Sequence, residues 1–214
     1  MTMWKIAASV MGLGLAGTAG VLYVGFGAFL PWRERSEAAR VADLTGLGQG
    51  QVVAEIGAGS GRFAGVLADR VGMTGRVIAT ELPGETLDRL KVALSGRSNV
   101  SVVAGAKGHA GLPEACCDLV IMRNVYHHAG GDRVFADELR RAVRPGGRLV
   151  VIDFAPGGLW FHGDAPADAT ARRPGHGVAP DVAVAELAGA GFVLDRLIQP
   201  WVRPMWLALF VRRR

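Results

Sequence analysis

The residues best suited to chemistry lie in one stretch, Val52–Gly61, which reads Val-Val-Ala-Glu-Ile-Gly-Ala-Gly-Ser-Gly. It places an acidic residue, Glu55, just ahead of Gly57, Gly59 and Gly61. Glycine lets the backbone turn tightly and approach a ligand closely, and the first N–H groups of a following helix can then face that ligand. The stretch therefore predicts a short buried strand, a ligand-binding loop and a helix.

The glycine spacing argues against two common nucleotide-binding loops. A dinucleotide-binding loop has the spacing Gly-x-Gly-x-x-Gly, whereas here the third glycine comes one residue early and Arg62 occupies its place. A Walker loop requires Gly-Lys followed by Ser or Thr, and no such sequence follows. The spacing therefore disfavours a nicotinamide-dependent oxidoreductase.

The pattern Glu-x-Gly-x-Gly-x-Gly resembles the first motif of class I S-adenosylmethionine-dependent methyltransferases. The turn Arg-Pro-Gly-Gly-Arg-Leu at residues 144–149 and the lead-in Leu112-Pro113 to a predicted strand, Asp118–Met122, are also similar to that family. The resemblance covers about residues 45–155 well. It implies S-adenosylmethionine as the cofactor, held at the glycine loop, and methyl transfer as the reaction.

A second acidic residue, Glu81, ends a predicted strand at Arg76–Thr80 and follows Gly57 by 24 positions. This separation is close to the roughly 20 residues expected for an acidic residue at the end of the second strand. A carboxylate there can accept hydrogen bonds from both ribose hydroxyls of a nucleoside. We therefore expect Glu81 to bind the ribose, with a solvated turn residue as the alternative.

The segment Arg123–His128 follows the fourth predicted strand, and the resemblance implies that it lies beside the transferred methyl group. Asn124 is expected to hydrogen-bond the amino-acid part of the cofactor or a substrate. Tyr126, His127 and His128 are the catalytic candidates, which shape the acceptor pocket or remove a proton. Packing or helix capping is the alternative for each. Adjacent histidines without a carboxylate or thiolate neighbour make a poor metal site, so no metal is expected.

One departure from the family follows the third predicted strand, Asn99–Ala104. Many members place an aspartate there to bind the adenine amino group, whereas this chain has Gly105-Ala106-Lys107. Backbone groups take that role, or Lys107 simply faces solvent. The sequence leaves open what binds the adenine.

The predicted elements alternate between strands and helices, which indicates a doubly wound α/β fold. Predicted helices are Glu34–Leu44, Glu85–Leu94, Asp132–Val143 and a helix from Pro180 to Ala190, and the closing strands are Phe192–Leu197 and Met205–Val211. The resemblance implies a mostly parallel, seven-stranded, Rossmann-like methyltransferase sheet whose last strand is antiparallel. Residues 155–180, rich in proline and glycine, are interpreted as a loop over the active site that carries Trp160, Phe161, His162 and His176.

The chain opens with a long uncharged stretch, Ile6–Leu30, of 25 residues without Asp, Glu, Lys or Arg. As a helix it would be about 37 Å long, enough to span the roughly 30 Å hydrocarbon core of a bilayer. We expect residues 1–31 to form a transmembrane anchor and residues 32–214 the methyltransferase domain. A cleaved signal peptide and a buried soluble helix are the alternatives.

Basic residues flank this span unequally, with Lys5 before it and Arg33, Arg35 and Arg40 after it. This bias favours a single-pass membrane protein with a cytoplasmic catalytic domain. Small residues recur every four positions in the span and permit a homodimer, although glycine is frequent in membrane helices anyway; the stripe is Ala8, Gly12, Ala16 and Gly20.

The net charge and the two cysteines bear on nucleic-acid binding, disulfide bonds and metal sites. The formal net charge is +5, but the excess is not concentrated in a long basic run, so nucleic-acid binding is not expected. The two cysteines, Cys116 and Cys117, are adjacent and form no disulfide framework or metal-binding spacing. They are interpreted as a reduced pair leading into a strand, with a vicinal disulfide or a redox role as the alternatives.

Taken with the resemblance, these features predict methyl transfer from S-adenosylmethionine to a small or hydrophobic, membrane-associated acceptor. A lipid-like acceptor is favoured because an anchor raises the local concentration of apolar molecules. The alternative is a membrane-anchored S-adenosylmethionine-binding protein without turnover.

Overall fold

The computed structural model describes residues 32–156 and 177–213. The predicted anchor with its dimerisation stripe lies outside the described residues, and so do Trp160, Phe161, His162 and His176 in the predicted loop. The predicted membrane localisation rests on that anchor. Within the two described ranges, no helix is long and apolar enough to cross a bilayer.

Strands and helices alternate along the described chain, as the sequence predicts. The strands are β1 (Val52–Ile56), β2 (Arg76–Glu81), β3 (Val100–Ala104), β4 (Cys117–Arg123), β5 (Val143–Phe154), β6 (Phe192–Ile198) and β7 (Met205–Arg212). The helices are α1 (residues 32–45), α2 (Arg62–Val71), α3 (Glu85–Leu94), α4 (Tyr126–Ala129), α5 (Arg133–Ala142) and α6 (Pro180–Gly189).

The strands form a seven-stranded sheet in the order β3-β2-β1-β4-β5-β7-β6. Strands β1 to β5 pair in parallel, whereas β7 is antiparallel to both of its neighbours. The predicted fold class, a doubly wound sheet with an antiparallel last strand, is therefore confirmed for the described domain. The chain moves outward from β1 to β3 and then returns to β4, so β1 and β4 flank the switch point where ligands of such folds bind.

The sheet is covered by apolar side chains on both faces, as parallel strands require. On one face, α1 and α2 contribute side chains such as Val41 and Leu67 to a cluster with Val53 and Ile121. On the other face, α5 and α6 contribute Leu139 and Leu187 to a second cluster. These two layers hold the strand ends, and the loops that follow them, in fixed positions.

Two local features differ from the sequence interpretation. The predicted turn at residues 144–148 lies within β5. Val143 pairs with Cys117 of β4 and Arg148 pairs with Leu119, so the register shifts and the residues between Val143 and Arg148 bulge out of the pairing. The sulfurs of Cys116 and Cys117 are bonded, so the observed form is the vicinal disulfide and not the reduced pair.

Helix α1 is fastened to the sheet by a buried carboxylate, Glu37. Its Oε1 accepts a hydrogen bond from Nε1 of Trp201 at 2.8 Å, and its Oε2 accepts one from Nε of Arg123 at 2.8 Å. Trp201 lies in the β6–β7 connection and also stacks under the guanidinium of Arg40, 3.9 Å from its ring centre. One carboxylate thus joins the first described helix to the end of β4 and to the far hairpin.

Replacing Glu37 with alanine is expected to lower the free energy of unfolding by about 2–4 kcal/mol, because the change removes the acceptor of the buried Trp201 indole N–H and of Nε of Arg123. The matched control is Asp137→Ala, which removes a carboxylate from an exposed pair with Arg133 and should cost less than about 0.5 kcal/mol. Chemical denaturation of both variants measures the difference. Equal, small effects would show that the Glu37 network does not hold α1.

Candidate active site

A cavity of about 660 Å³ opens at the carboxyl ends of β1, β2 and β4. Most of its lining comes from four segments: the glycine loop after β1, the end of β2, residues 105–109 after β3, and the residues that follow β4. Parallel strands bring their carboxyl ends to one edge of the sheet, so segments far apart in sequence converge here. The cavity lies at the switch point between β1 and β4.

The three motif glycines serve three different purposes. A Cβ on Gly57 would collide with Val125, and one on Gly61 would lie 2.9 Å from Cδ1 of Leu90 in α3. A Cβ on Gly59 would meet nothing within 4 Å. All three have positive φ angles, 72°, 51° and 75° in chain order. Gly57 and Gly59 line the cavity, whereas Gly61 permits close packing of α2 against α3.

Glu81 joins the end of β2 to the glycine loop. Its Oε2 accepts a hydrogen bond from the backbone N–H of Gly59 at 2.9 Å, and its Oε1 accepts one from that of Leu82 at 2.9 Å. Each carboxylate oxygen has a second lone pair, and Glu81 lines the cavity. The alternative of a merely solvated turn residue therefore does not describe its contacts.

Glu55 also lines the cavity, yet it is 3% exposed. Its Oε2 is buried and has no hydrogen-bond partner within the described part of the chain. Burial raises the pKa of Glu55 well above its usual value; the charge of Arg123 opposes this rise, and that of Glu34 adds to it. A cationic ligand group would favour the ionised carboxylate and satisfy the buried oxygen. The site therefore suits a ligand that carries positive charge.

The four candidates after β4 divide into two pairs. Asn124 and His128 line the cavity, whereas Tyr126 and His127 do not. The hydroxyl of Tyr126, 1% exposed, donates to Oε2 of Glu186 in α6 at 2.9 Å. The structure thus places only Asn124 and His128 against the cavity.

His127 is held by a buried aspartate, Asp153, at the end of β5. Its Nδ1 lies 2.8 Å from Oδ1 of Asp153, and its backbone N–H donates to Oδ2 at 3.0 Å. The ring of His128 lies against that of His127, with their centres 3.9 Å apart. The Tyr126 and His127 contacts therefore fix the segment that carries Asn124 and His128.

Several residues that line the cavity were not singled out in the sequence. Glu34 and Arg123 form an ion pair at its rim, 3.6 Å apart. His109, which follows β3, and Phe135, in α5, also line the cavity. The position of His109 just after β3 was a usable signal, whereas nothing local marks Glu34 or Phe135, which come from two helices.

The cysteine pair lies at the other edge of the sheet. Cys117 is the first residue of β4, and Arg123, at the cavity, is its last. A seven-residue strand rises about 20 Å between these ends. The sulfurs are therefore too far away to contact a ligand in the cavity.

Comparison with known proteins agrees with this geometry. Residues 54–151 match the family of methyltransferase domains. An arsenite methyltransferase from Halobacterium salinarum is 29% identical over 106 residues, which cover 49% of this chain and 27% of that protein. A protein-L-isoaspartate O-methyltransferase from Methanococcus aeolicus is 34% identical over 123 residues, covering 56% and 52%. The chain thus spans between 27% and 52% of the length of these relatives.

A solved structure shares the fold of this chain. The chain resembles an S-adenosylmethionine-dependent methyltransferase from Aquifex aeolicus, with a TM-score of 0.67 and 23% identity over 82% of this chain and 89% of that one. At this identity the likeness establishes the fold. The match to a methyltransferase domain and the shared fold support S-adenosylmethionine as the cofactor.

Proposed function

We propose that this chain transfers the methyl group of S-adenosylmethionine to a small-molecule acceptor, and that the cofactor occupies the cavity at the ends of β1, β2 and β4. The observation that carries the proposal is the Glu81 carboxylate, bonded to Gly59 N–H at 2.9 Å beside the open space above that glycine. The carboxylate offers acceptors to both hydroxyls of a ribose-sized diol, and the open space above Gly59 leaves room for the sugar.

The remaining cofactor contacts follow from the charges. Glu55 holds the ammonium group of the amino-acid part, because its buried oxygen needs a donor and its ionised form needs a positive neighbour. Asn124 lines the same region and can donate and accept through its amide. Gly57 and Gly59 carry no side chain, so the ligand can lie close to the loop backbone, while Gly61 lets the loop pack against α3.

The protein's part in the reaction is alignment. S-adenosylmethionine supplies a methyl group made electrophilic by a sulfonium. The chain must hold the acceptor in line with that methyl group. This alignment can supply a large share of the reduction in the activation barrier. His128 is the candidate that lines the cavity, so we assign to it the contact with the acceptor or the removal of its proton. Tyr126 and His127 position that segment through Glu186 and Asp153.

We assign the methyl acceptor by its chemical class. The two curated relatives are named for arsenite and for protein isoaspartate, so they indicate no common acceptor. A hydrophobic or lipid-like acceptor is our proposal, because the predicted anchor, Ile6–Leu30, would hold the cavity near a membrane. A screen with labelled S-adenosylmethionine against membrane extract, small thiols, amines and phenols tests it. Labelling of water-soluble acceptors alone would contradict the lipid-like class.

A binding protein without turnover is the second candidate, favoured by the absence of an acidic residue after β3. The same screen separates the two candidates. Labelled product from any acceptor excludes the binding protein, whereas tight cofactor binding with no product across the screen would favour it.

The first prediction concerns Gly59. Gly59→Val places a side chain in the open space at the loop and should abolish binding of S-adenosylhomocysteine while the domain stays folded. The matched control is Gly146→Val, because Gly146 also has a positive φ and open space around it but lies in β5, away from the cavity. Calorimetry measures affinity and circular dichroism checks folding. Unchanged affinity in Gly59→Val would refute the assignment of the cavity.

The second prediction concerns His128. His128→Ala should lower kcat by about 10²-fold or more if the imidazole removes a proton, with cofactor affinity nearly unchanged, since the contact is made mainly with the acceptor. His127→Ala should instead lower the unfolding midpoint, because it removes the imidazole that is hydrogen-bonded to the buried carboxylate of Asp153. Both are measured with the first acceptor that the screen provides. A kcat for His128→Ala within fivefold of the parent would leave alignment as the only catalytic contribution.

A further inference from the structure

The cavity extends past Glu81 to the loop that follows β3. Strand β3 lies beyond β2 as seen from β1, and residues 105–109 line this end together with Leu82. S-adenosylmethionine is a linear molecule with the ribose between its base and its sulfonium. With the ribose at Glu81 and the methyl group near β4, as the proposed function has it, the base extends toward β3.

His109 lies at this end of the cavity, and contacts with α5 and with its own loop fix its position. Its Nδ1 lies 2.8 Å from Oε1 of Glu138 in α5, and its backbone N–H donates to the carbonyl of Ala106 at 3.0 Å. Oε2 of Glu138 accepts the N–H of Ala110 at 2.9 Å. One carboxylate therefore holds both the ring and the loop that carries it.

The edge of the ring that faces the cavity follows from the position of Glu138. His109 borders the large cavity and a smaller one of about 240 Å³, whereas Glu138 borders only the smaller one. Nδ1 therefore points away from the large cavity, toward Glu138. The opposite nitrogen, Nε2, is left on the side of the large cavity, and the ring keeps 58% of its side-chain surface exposed.

The hydrogen-bonding character of Nε2 follows from the charge of Glu138. Burial acts to raise the pKa of Glu138, but the hydrogen bonds from His109 and Ala110 outweigh it, and the pKa is lowered. An ionised carboxylate only accepts hydrogen bonds, so Nδ1 of His109 carries the proton. In the neutral ring, Nε2 then has a free lone pair and acts as an acceptor.

We propose that Nε2 of His109 accepts a hydrogen bond from the exocyclic amino group of adenine and makes this residue the determinant of base specificity. It supplies the acceptor that the missing acidic residue after β3 would have supplied. Lys107, in the same loop, cannot do so because an ammonium group only donates. Leu82 and Phe135 also line the cavity and provide apolar surface for the flat base.

The proposed hydrogen bond to Nε2 of His109 can form with adenine but not with hypoxanthine. Hypoxanthine replaces the amino group with a carbonyl, which would set one acceptor against another. Removing a single hydrogen-bond partner and leaving a polar group unsatisfied corresponds to a loss of about five- to 150-fold in affinity. The full-length chain should therefore bind S-adenosylhomocysteine at least about fivefold more tightly than S-inosylhomocysteine.

The experiment is calorimetric titration of both nucleosides into the full-length chain and three variants. His109→Ala should lose most of the preference for adenine, and His109→Gln should keep part of it, since the Gln amide oxygen can accept in place of Nε2. Lys107→Ala, in the same loop and lining the same cavity, is the matched control and should keep the full preference.

Three outcomes would overturn the assignment. Equal affinities of the parent chain for the two nucleosides would show that nothing reads the amino group. An unchanged preference in His109→Ala would show that backbone groups read it instead. Failure of the parent chain to bind S-adenosylhomocysteine at all would overturn the proposed function itself, and this inference with it.

Discussion

The rest of the site depends on the hydrogen bond between Glu81 and the backbone of Gly59. It joins the end of β2 to the glycine loop after β1, and so sets the width of the cavity between them. The backbone N–H groups of Gly57 and Ala58 are tied to the same strand, since both donate to the carbonyl of Thr80 at 2.9 Å. Bonds within the chain itself therefore shape the loop, which lowers the cost of ordering it around a ligand.

Around this bond, one arginine, Arg123, serves several of the carboxylates at or near the cavity. Arg123 is shared: it pairs with Glu37 and Glu34 and opposes the raised pKa of Glu55. Because Glu37 also binds Trp201, the same arginine connects the cavity to α1 and to the β6–β7 connection. The charge that Glu55 presents to a ligand thus depends on how α1 docks.

Local sequence predicted the features that depend on local geometry. Because a strand, a glycine loop and a helix follow one another, few positions in the fold are open to Glu55, Gly57 and Gly59. The end of β2 places Glu81 beside them. Pairs formed across the fold could not be predicted, because the partners of His127 and Tyr126 lie 26 and 60 residues away and no pattern marks them. The same holds for His109, whose role follows from Glu138, 29 residues further along.

The most direct test of the account is a crystal structure of the chain with S-adenosylhomocysteine bound. The account predicts both ribose hydroxyls within about 2.5–3.2 Å of the Glu81 carboxylate, the ammonium group against Glu55 and the base at the loop that follows β3. A nucleoside bound outside this cavity, or bound in it with its ribose away from Glu81, would contradict the central claim.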